Sequence, residues 1–140
     1  MLNTIDVTFE FEYGMIDNRY MQIEISTNKQ SVLVNAKTNI VVKEIQIPNQ
    51  LSLSFTGKTP GRDTIVDSAG NIIQDMYVKV IGLIIDYLKL PEWVLQKKLS
   101  YVTFDGRLLT TSYIGFNGTM TIDIPESMVF SFYRRLTRDI

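Results

Sequence analysis

Between Thr4 and Tyr13 every second residue is apolar. Ile5, Val7, Phe9, Phe11 and Tyr13 alternate with Asp6, Thr8, Glu10 and Glu12. Successive side chains of a strand point to opposite faces, so this period predicts an antiparallel strand with one face buried and one solvated. The same period returns at Met21, Ile23 and Ile25, at Leu51, Leu53 and Phe55, at Met120, Ile122 and Ile124, and at Met128, Phe130 and Phe132. Val32 to Val34 and Ile40 to Ile47 read as further strands. The second of these is the candidate sheet edge, because Pro48 follows it. Met76 to Asp86 is apolar on both faces, with Val78, Val80 and Ile84 on one and Tyr77, Ile81, Leu83 and Ile85 on the other. Such a strand is expected in a covered, mid-sheet place.

Turn chemistry separates these runs. Thr27 to Gln30, Gly57 to Asp63, Asp67 to Asn71 and Asp105-Gly106 carry the Gly, Pro, Asn and Asp that tight turns use. Gly70 is the expected positive-φ position. Tyr87 to Leu99 is the one stretch that could be helical, with Pro91 in its first turn, and a loop exposing Trp93 is the alternative. The pattern predicts an all-β chain. It reads as an antiparallel β-sandwich, jelly-roll-like, of eight to ten strands, with at most one short helix, in a single domain over residues 1–140.

Composition then narrows the chemistry. The chain has 140 residues, no Cys and no His. It can form no disulfide, offers no thiolate or imidazole to a metal, and holds no Ser-His-Asp or Cys-His constellation. Carboxylates, hydroxyls, Lys and Arg remain. With a net charge of −1, the chain lacks the basic footprint of a nucleic-acid binder, so no nucleic acid is expected as partner. The longest apolar run is far below the roughly 20 residues of a membrane-spanning helix, so no membrane partner is expected either. Met1 to Asp6 has neither a basic start nor an apolar run, and no secretory signal is expected there.

Several residue groups can carry function. Asp63, Asp67, Asn71 and Asp75 are spaced by four residues, and oxygen-rich loops of this kind suit calcium. They do not follow the EF-hand spacing, and Asx turns that bond their own backbone are the competing reading. Trp93, Tyr101, Tyr113 and Phe116 lie in or beside predicted loops. Flat aromatic rings there can stack on the apolar faces of sugars, or can plug the ends of the sandwich. Asn117-Gly118-Thr119 matches a glycosylation acceptor but reads better as a turn into the following strand. Arg134, Arg135 and Arg138 form a basic tail that is either solvated or a partner contact. Asp6, Glu10 and Glu12, with Asp123, are the carboxylates available for glycoside hydrolysis; their regular alternation favours a solvent-facing surface instead.

Three stretches also carry a resemblance. Phe55-Thr56-Gly57-Lys58, Asp63 through Asp75, and Tyr113-Ile114-Gly115-Phe116-Asn117-Gly118 resemble a small β-sandwich module in proteins of tailed phages, especially those of marine bacteria. That module is similar to the jelly-roll, calcium-dependent xylan-binding type of carbohydrate-binding module. The resemblance implies a non-enzymatic binding or virion-surface role. It places Asp63, Asp67 and Asp75 at a metal or turn site. It places Tyr113, Phe116 and Asn117 near a ligand loop or a core corner.

Together these readings set the expectation. The chain is expected to be a non-enzymatic virion component, a capsid decoration or tail protein, assembled in the host cytoplasm. Its expected partners are other virion proteins, further copies of itself, and a surface polysaccharide. Its candidate ligand-binding residues are Trp93, Tyr113, Phe116 and Asn117, and calcium is the candidate metal. A stand-alone calcium-dependent carbohydrate-binding module is the alternative, and a carboxylate-based glycoside hydrolase ranks below both.

Overall fold

The computed structural model describes residues 4–46, 49–93, 95 and 99–124. Thirteen strands lie within them: β1 (Thr4–Gly14), β2 (Gln22–Ser26), β3 (Ser31–Val34), β4 (Asn39–Gln46), β5 (Asn49–Thr56), β6 (Thr64–Val66), β7 (Ile72–Asp75), β8 (Tyr77–Ile85), β9 (Leu88–Lys89), β10 (Ser100–Thr103), β11 (Leu108–Leu109), β12 (Tyr113–Ile114) and β13 (Gly118–Ile124). One sheet runs β12-β8-β1-β4, with β9 also paired to β8, and a second runs β11-β10-β13-β5-β2-β3. Every pairing in the two sheets is antiparallel. β6 and β7 form a separate two-stranded hairpin.

The antiparallel β-sandwich expected from the sequence is therefore present. The chain changes sheet repeatedly, as when β1 in the first sheet leads to β2 and β3 in the second and then back to β4. The strand count exceeds the expected eight to ten because β9, β11 and β12 are two-residue strands, too short to show a period. The predicted strand at Met128, Phe130 and Phe132, the basic tail and Pro48 lie outside the described residues.

Alternation sets which face is buried. Ile5, Val7, Phe9 and Phe11 of β1 point into the core, as do Ile23 and Ile25 of β2, Leu51, Leu53 and Phe55 of β5, and Met120, Ile122 and Ile124 of β13. These belong to one continuous apolar cluster shared by both sheets. Each such side chain contributes on the order of 1.5–3 kcal/mol by leaving water. Phe9 and Phe11 lie on the same face with parallel rings, centroids 5.9 Å apart.

β8 sits inside its sheet, between β1 and the short β9 and β12, as expected. Its two faces differ from the expected ones. Phe11 pairs with Val80 and Glu10 with Gly82, so Ile81 is the extra residue of a β-bulge. A bulge residue shifts the parity of the rest of its strand. Val78 and Val80 are therefore buried before the bulge, and Leu83 and Ile85 after it, while Ile81 itself is 49% exposed.

β4 lies at the sheet edge, as predicted. It too is bulged, because Ile5 pairs with Ile45 but Val7 with Val42. Glu44 takes a φ of 57° there, and its N–H donates to Asp6 Oδ1 at 3.0 Å. Bulges of this kind twist an edge away from chance pairing.

The stretch over Tyr87 to Leu99 is divided. Leu88–Lys89 is strand, and among the described residues of this stretch 92, 93 and 95 are helical. Pro91 stands just before them, where its carbonyl accepts from the N–H of Leu95 at 3.0 Å. Trp93 on this turn is exposed.

Gly118 begins β13 where the backbone of β10 crosses closely. A Cβ there would lie 2.4 Å from the Val102 carbonyl oxygen and 2.7 Å from the Tyr101 ring. Backbone cannot yield as a surface side chain can. Gly118→Ala is expected to lower stability by about 1–3 kcal/mol, read as a reduced midpoint in urea denaturation with an unchanged slope.

Candidate functional site

The hairpin β6–β7 is too short to hold itself, since an isolated two-stranded ribbon is marginal in water. It is tied to the sandwich at its base by two aspartates, one at each end. Asp63, just before β6, is fully buried. Its carboxylate accepts from Arg19 Nη2 at 2.7 Å, from Arg62 Nε and Nη2 at 2.9 and 2.8 Å, and from the Thr59 N–H at 2.7 Å. The hydrogen bond from the Arg62 guanidinium, with those from Thr59 and Arg19, outweighs desolvation and holds this carboxyl well below the usual carboxylate range.

Asp75, at the end of β7, is the second tie. Lys58 Nζ, on a side chain only 6% exposed, donates to Asp75 Oδ1 at 2.6 Å and to the Gly115 carbonyl at 2.6 Å. Thr64 Oγ1 donates to the same Asp75 oxygen at 2.7 Å. The Tyr113 hydroxyl donates to the other carboxylate oxygen. Burial alone would raise the Asp75 carboxyl, but the hydrogen bonds from Lys58, Tyr113 and Thr64 prevail and lower it. Tyr113 moves the opposite way: burial first, then the bond to Asp75, pushes its phenol up. Its ring stacks on Tyr77, centroids 4.7 Å apart.

Over this floor opens a groove of about 660 Å³, walled by Ile72 of β7, Leu109 of β11, Thr110, Thr111, Tyr113 and Phe116. Phe116 also borders a second hollow of about 170 Å³, lined by Pro60, Thr103, Phe104, Asp105, Arg107 and Asn117. The Arg107 guanidinium lies 4.3 Å from the Phe116 ring centroid, within cation–π range. A third depression, of about 360 Å³, lies apart beside Lys79, Lys89 and Ser112.

The structure brings Tyr113 and Phe116 together, as the sequence suggested. Of the other two candidate ligand residues, Asn117 lines the smaller hollow beside Phe116, and Trp93 lies apart. Trp93 borders none of these three hollows. Asn117 is a clamp: its Oδ1 accepts from the Lys58 N–H at 3.1 Å and its Nδ2 donates to the Lys58 carbonyl at 2.8 Å. That use fixes the Lys58 backbone, so Asn117, at the bend that leads into β13, is also a cross-link.

Tyr101 was a candidate exposed aromatic and is instead fully buried, edge-on to Phe55 with centroids 6.2 Å apart. Its hydroxyl donates to the Phe116 carbonyl, and burial pushes its phenol up to about 12.

The structure does not bring Asp63, Asp67 and Asp75 together around one point. Asp63 and Asp75 are occupied by Arg and Lys donors. Asp67 Oδ1 accepts from the Ala69 and Asn71 N–H groups, both at 2.9 Å, inside its own turn, where Gly70 has a φ of 86°. Oxygens bonded to cations and amides are not free to coordinate a hard ion. Among the described residues no three carboxylates are grouped to hold a metal. Of the glycosidase candidates, Asp6, Glu10 and Glu12 share the outer face of β1 and each has a partner, while Asp123 lies on the other sheet. Glu10 pairs with Lys89 at 2.9 Å, Glu12 accepts from the Tyr77 hydroxyl at 3.1 Å, Asp6 accepts from the Glu44 N–H, and Asp123 accepts from Gln50 on the other sheet.

The sequence reading missed Lys58, Phe104 and Arg107. Only Lys58 carried a signal, as the end of the first stretch behind the phage-module resemblance. The three resembling stretches converge here, through the contacts of Lys58 with Asp75, Gly115 and Asn117.

No protein-family model matches the chain, and no curated protein matches it significantly. Among solved structures, a C2 domain-containing protein aligns with 13% identity and a TM-score of 0.29, covering 88% of this chain and 89% of that one. A likeness at that score supports neither fold nor function.

The aspartate ties set an acid limit. Folded-state values below the unfolded ones stabilise the fold above the ordinary carboxylate range, about pH 4, and this support is lost as pH falls toward the lowered values. Thermal melting should therefore drop between pH 5 and pH 2. Asp63→Asn should cost about 1–2 kcal/mol at neutral pH, limited by the half-exposed guanidinium partners, and should flatten the acid limb of the melting profile.

Proposed function

We propose that this chain is a non-catalytic binding module of a tailed-phage particle, in a capsid decoration or tail, and that its groove takes a saccharide. The observation that carries the binding role is the groove itself. Tyr113 and Phe116 present aromatic surface beside Ile72 and Leu109, above a floor of paired polar groups from Lys58, Asp75 and Thr64. Aromatic surface suits the C–H faces of a sugar ring, and a few fixed polar groups suit its hydroxyls. This reading assigns no calcium to Asp63, Asp67 and Asp75, because they are not grouped around one point.

The virion setting is supported by the resemblance of three sequence stretches, which meet at this groove. Each hollow has one lining carboxylate, Asp75 in the larger and Asp105 in the smaller, which favours binding over hydrolysis, since a glycosidase needs two of them facing one bond.

Titration on a glycan array, with calcium and with chelator, tests the binding role. Binding is expected in both conditions. Tyr113→Ala should weaken it by roughly 3–10-fold, the value of one aromatic contact, without lowering expression. No binding in either condition would reject the saccharide reading. Mass spectrometry of purified particles tests the setting, and absence of the chain from them would reject it.

A further inference from the structure

The groove and the smaller hollow beside it share one wall, Phe116. Each has a second aromatic of its own or at its border: Tyr113 in the larger and Phe104 in the smaller. Each also has one cation and one anion, and these are bonded to each other. Lys58 meets Asp75 at 2.6 Å in the larger, and Arg107 meets Asp105 at 3.1 Å in the smaller. Neither subsite holds an uncompensated charge for an anionic ligand to neutralise.

The wall between them is firmly held. The Phe116 carbonyl accepts from buried Tyr101, the Phe104 N–H donates to the Asn117 carbonyl at 3.0 Å, and Asn117 clamps the Lys58 backbone. A rigid ridge between two hollows suits a ligand that continues across it, because no loop need be ordered on binding.

Resting on the saccharide reading above, we infer that the ligand is a neutral oligosaccharide chain that straddles Phe116, with sugar units in both hollows. Tyr113 and Phe116 hold the units in the larger hollow. Phe104 contacts only the unit that passes over the ridge. A single sugar or a uronic-acid polymer fits this arrangement less well: the first leaves one hollow empty, and the second brings carboxylates to sites whose cations are already paired.

Isothermal titration with neutral β-linked xylo- and cello-oligosaccharides, from the disaccharide to the hexasaccharide, tests this. Affinity should rise roughly tenfold once the chain is long enough to cross the ridge. Phe104 is 66% exposed, so Phe104→Ala should fold normally; circular dichroism and melting check it. That variant should abolish the gain with length and leave disaccharide affinity unchanged, whereas Tyr113→Ala should weaken every member of the series. Affinity independent of length, an equal loss at all lengths in Phe104→Ala, or tighter binding of polygalacturonate would overturn the inference while leaving saccharide binding intact. Failure of every oligosaccharide to bind would overturn the saccharide reading and this inference with it.

Discussion

A lysine ammonium can be buried only where acceptors replace its water. Lys58 meets that condition with the Asp75 carboxylate and the Gly115 carbonyl, and the geometry around the groove follows. The pairing pins the end of β7 and the loop after β12 to the segment that leaves β5. Asn117 grips the same residue by its backbone. Removing either partner would strand a charge, so three stretches far apart in the chain are committed to one arrangement.

Much of the fold was legible because a strand's period is local. β1 shows its buried face in nine consecutive residues, and no partner is needed to read it. The β6–β7 and β10–β11 turns were legible for the same reason, through Gly70 and Asp105-Gly106. The faces of β8 were not. An extra residue at Ile81 is defined by its pairing with β1, and the lone mark of it in the run from Val78 to Ile85 is Gly82, since a glycine inside a strand goes with bulges and close approaches. Tyr101 misled in a similar way. Its place beside a turn suggested exposure, but its ring packs on Phe55, which is 46 positions earlier in the sequence.

The site was legible in part. Tyr113 and Phe116 announced themselves as aromatics near a loop. Lys58 did not, because its burial depends on residues 17 and 57 positions away. The acidic spacing from Asp63 to Asp75 was read as a ligand set, yet the structure uses the outer two as fasteners and the inner one as a turn cap. The four-residue spacing reflects the hairpin, not a coordination sphere: Thr64 lies opposite Asp75, so both ends of the spacing belong to one ribbon base.

That ribbon has a consequence for motion. It shares few apolar contacts with the core, and Val66, Ile72 and Ile73 are exposed, so its amides should exchange with solvent by local opening well before the sandwich unfolds. The same ribbon supplies Ile72, Thr64 and Asp75 to the groove. Opening it dismantles the groove, and filling the groove holds it shut by mass action. Amide exchange within β6 and β7 is thus a direct gauge of occupancy of the groove whose wall they form.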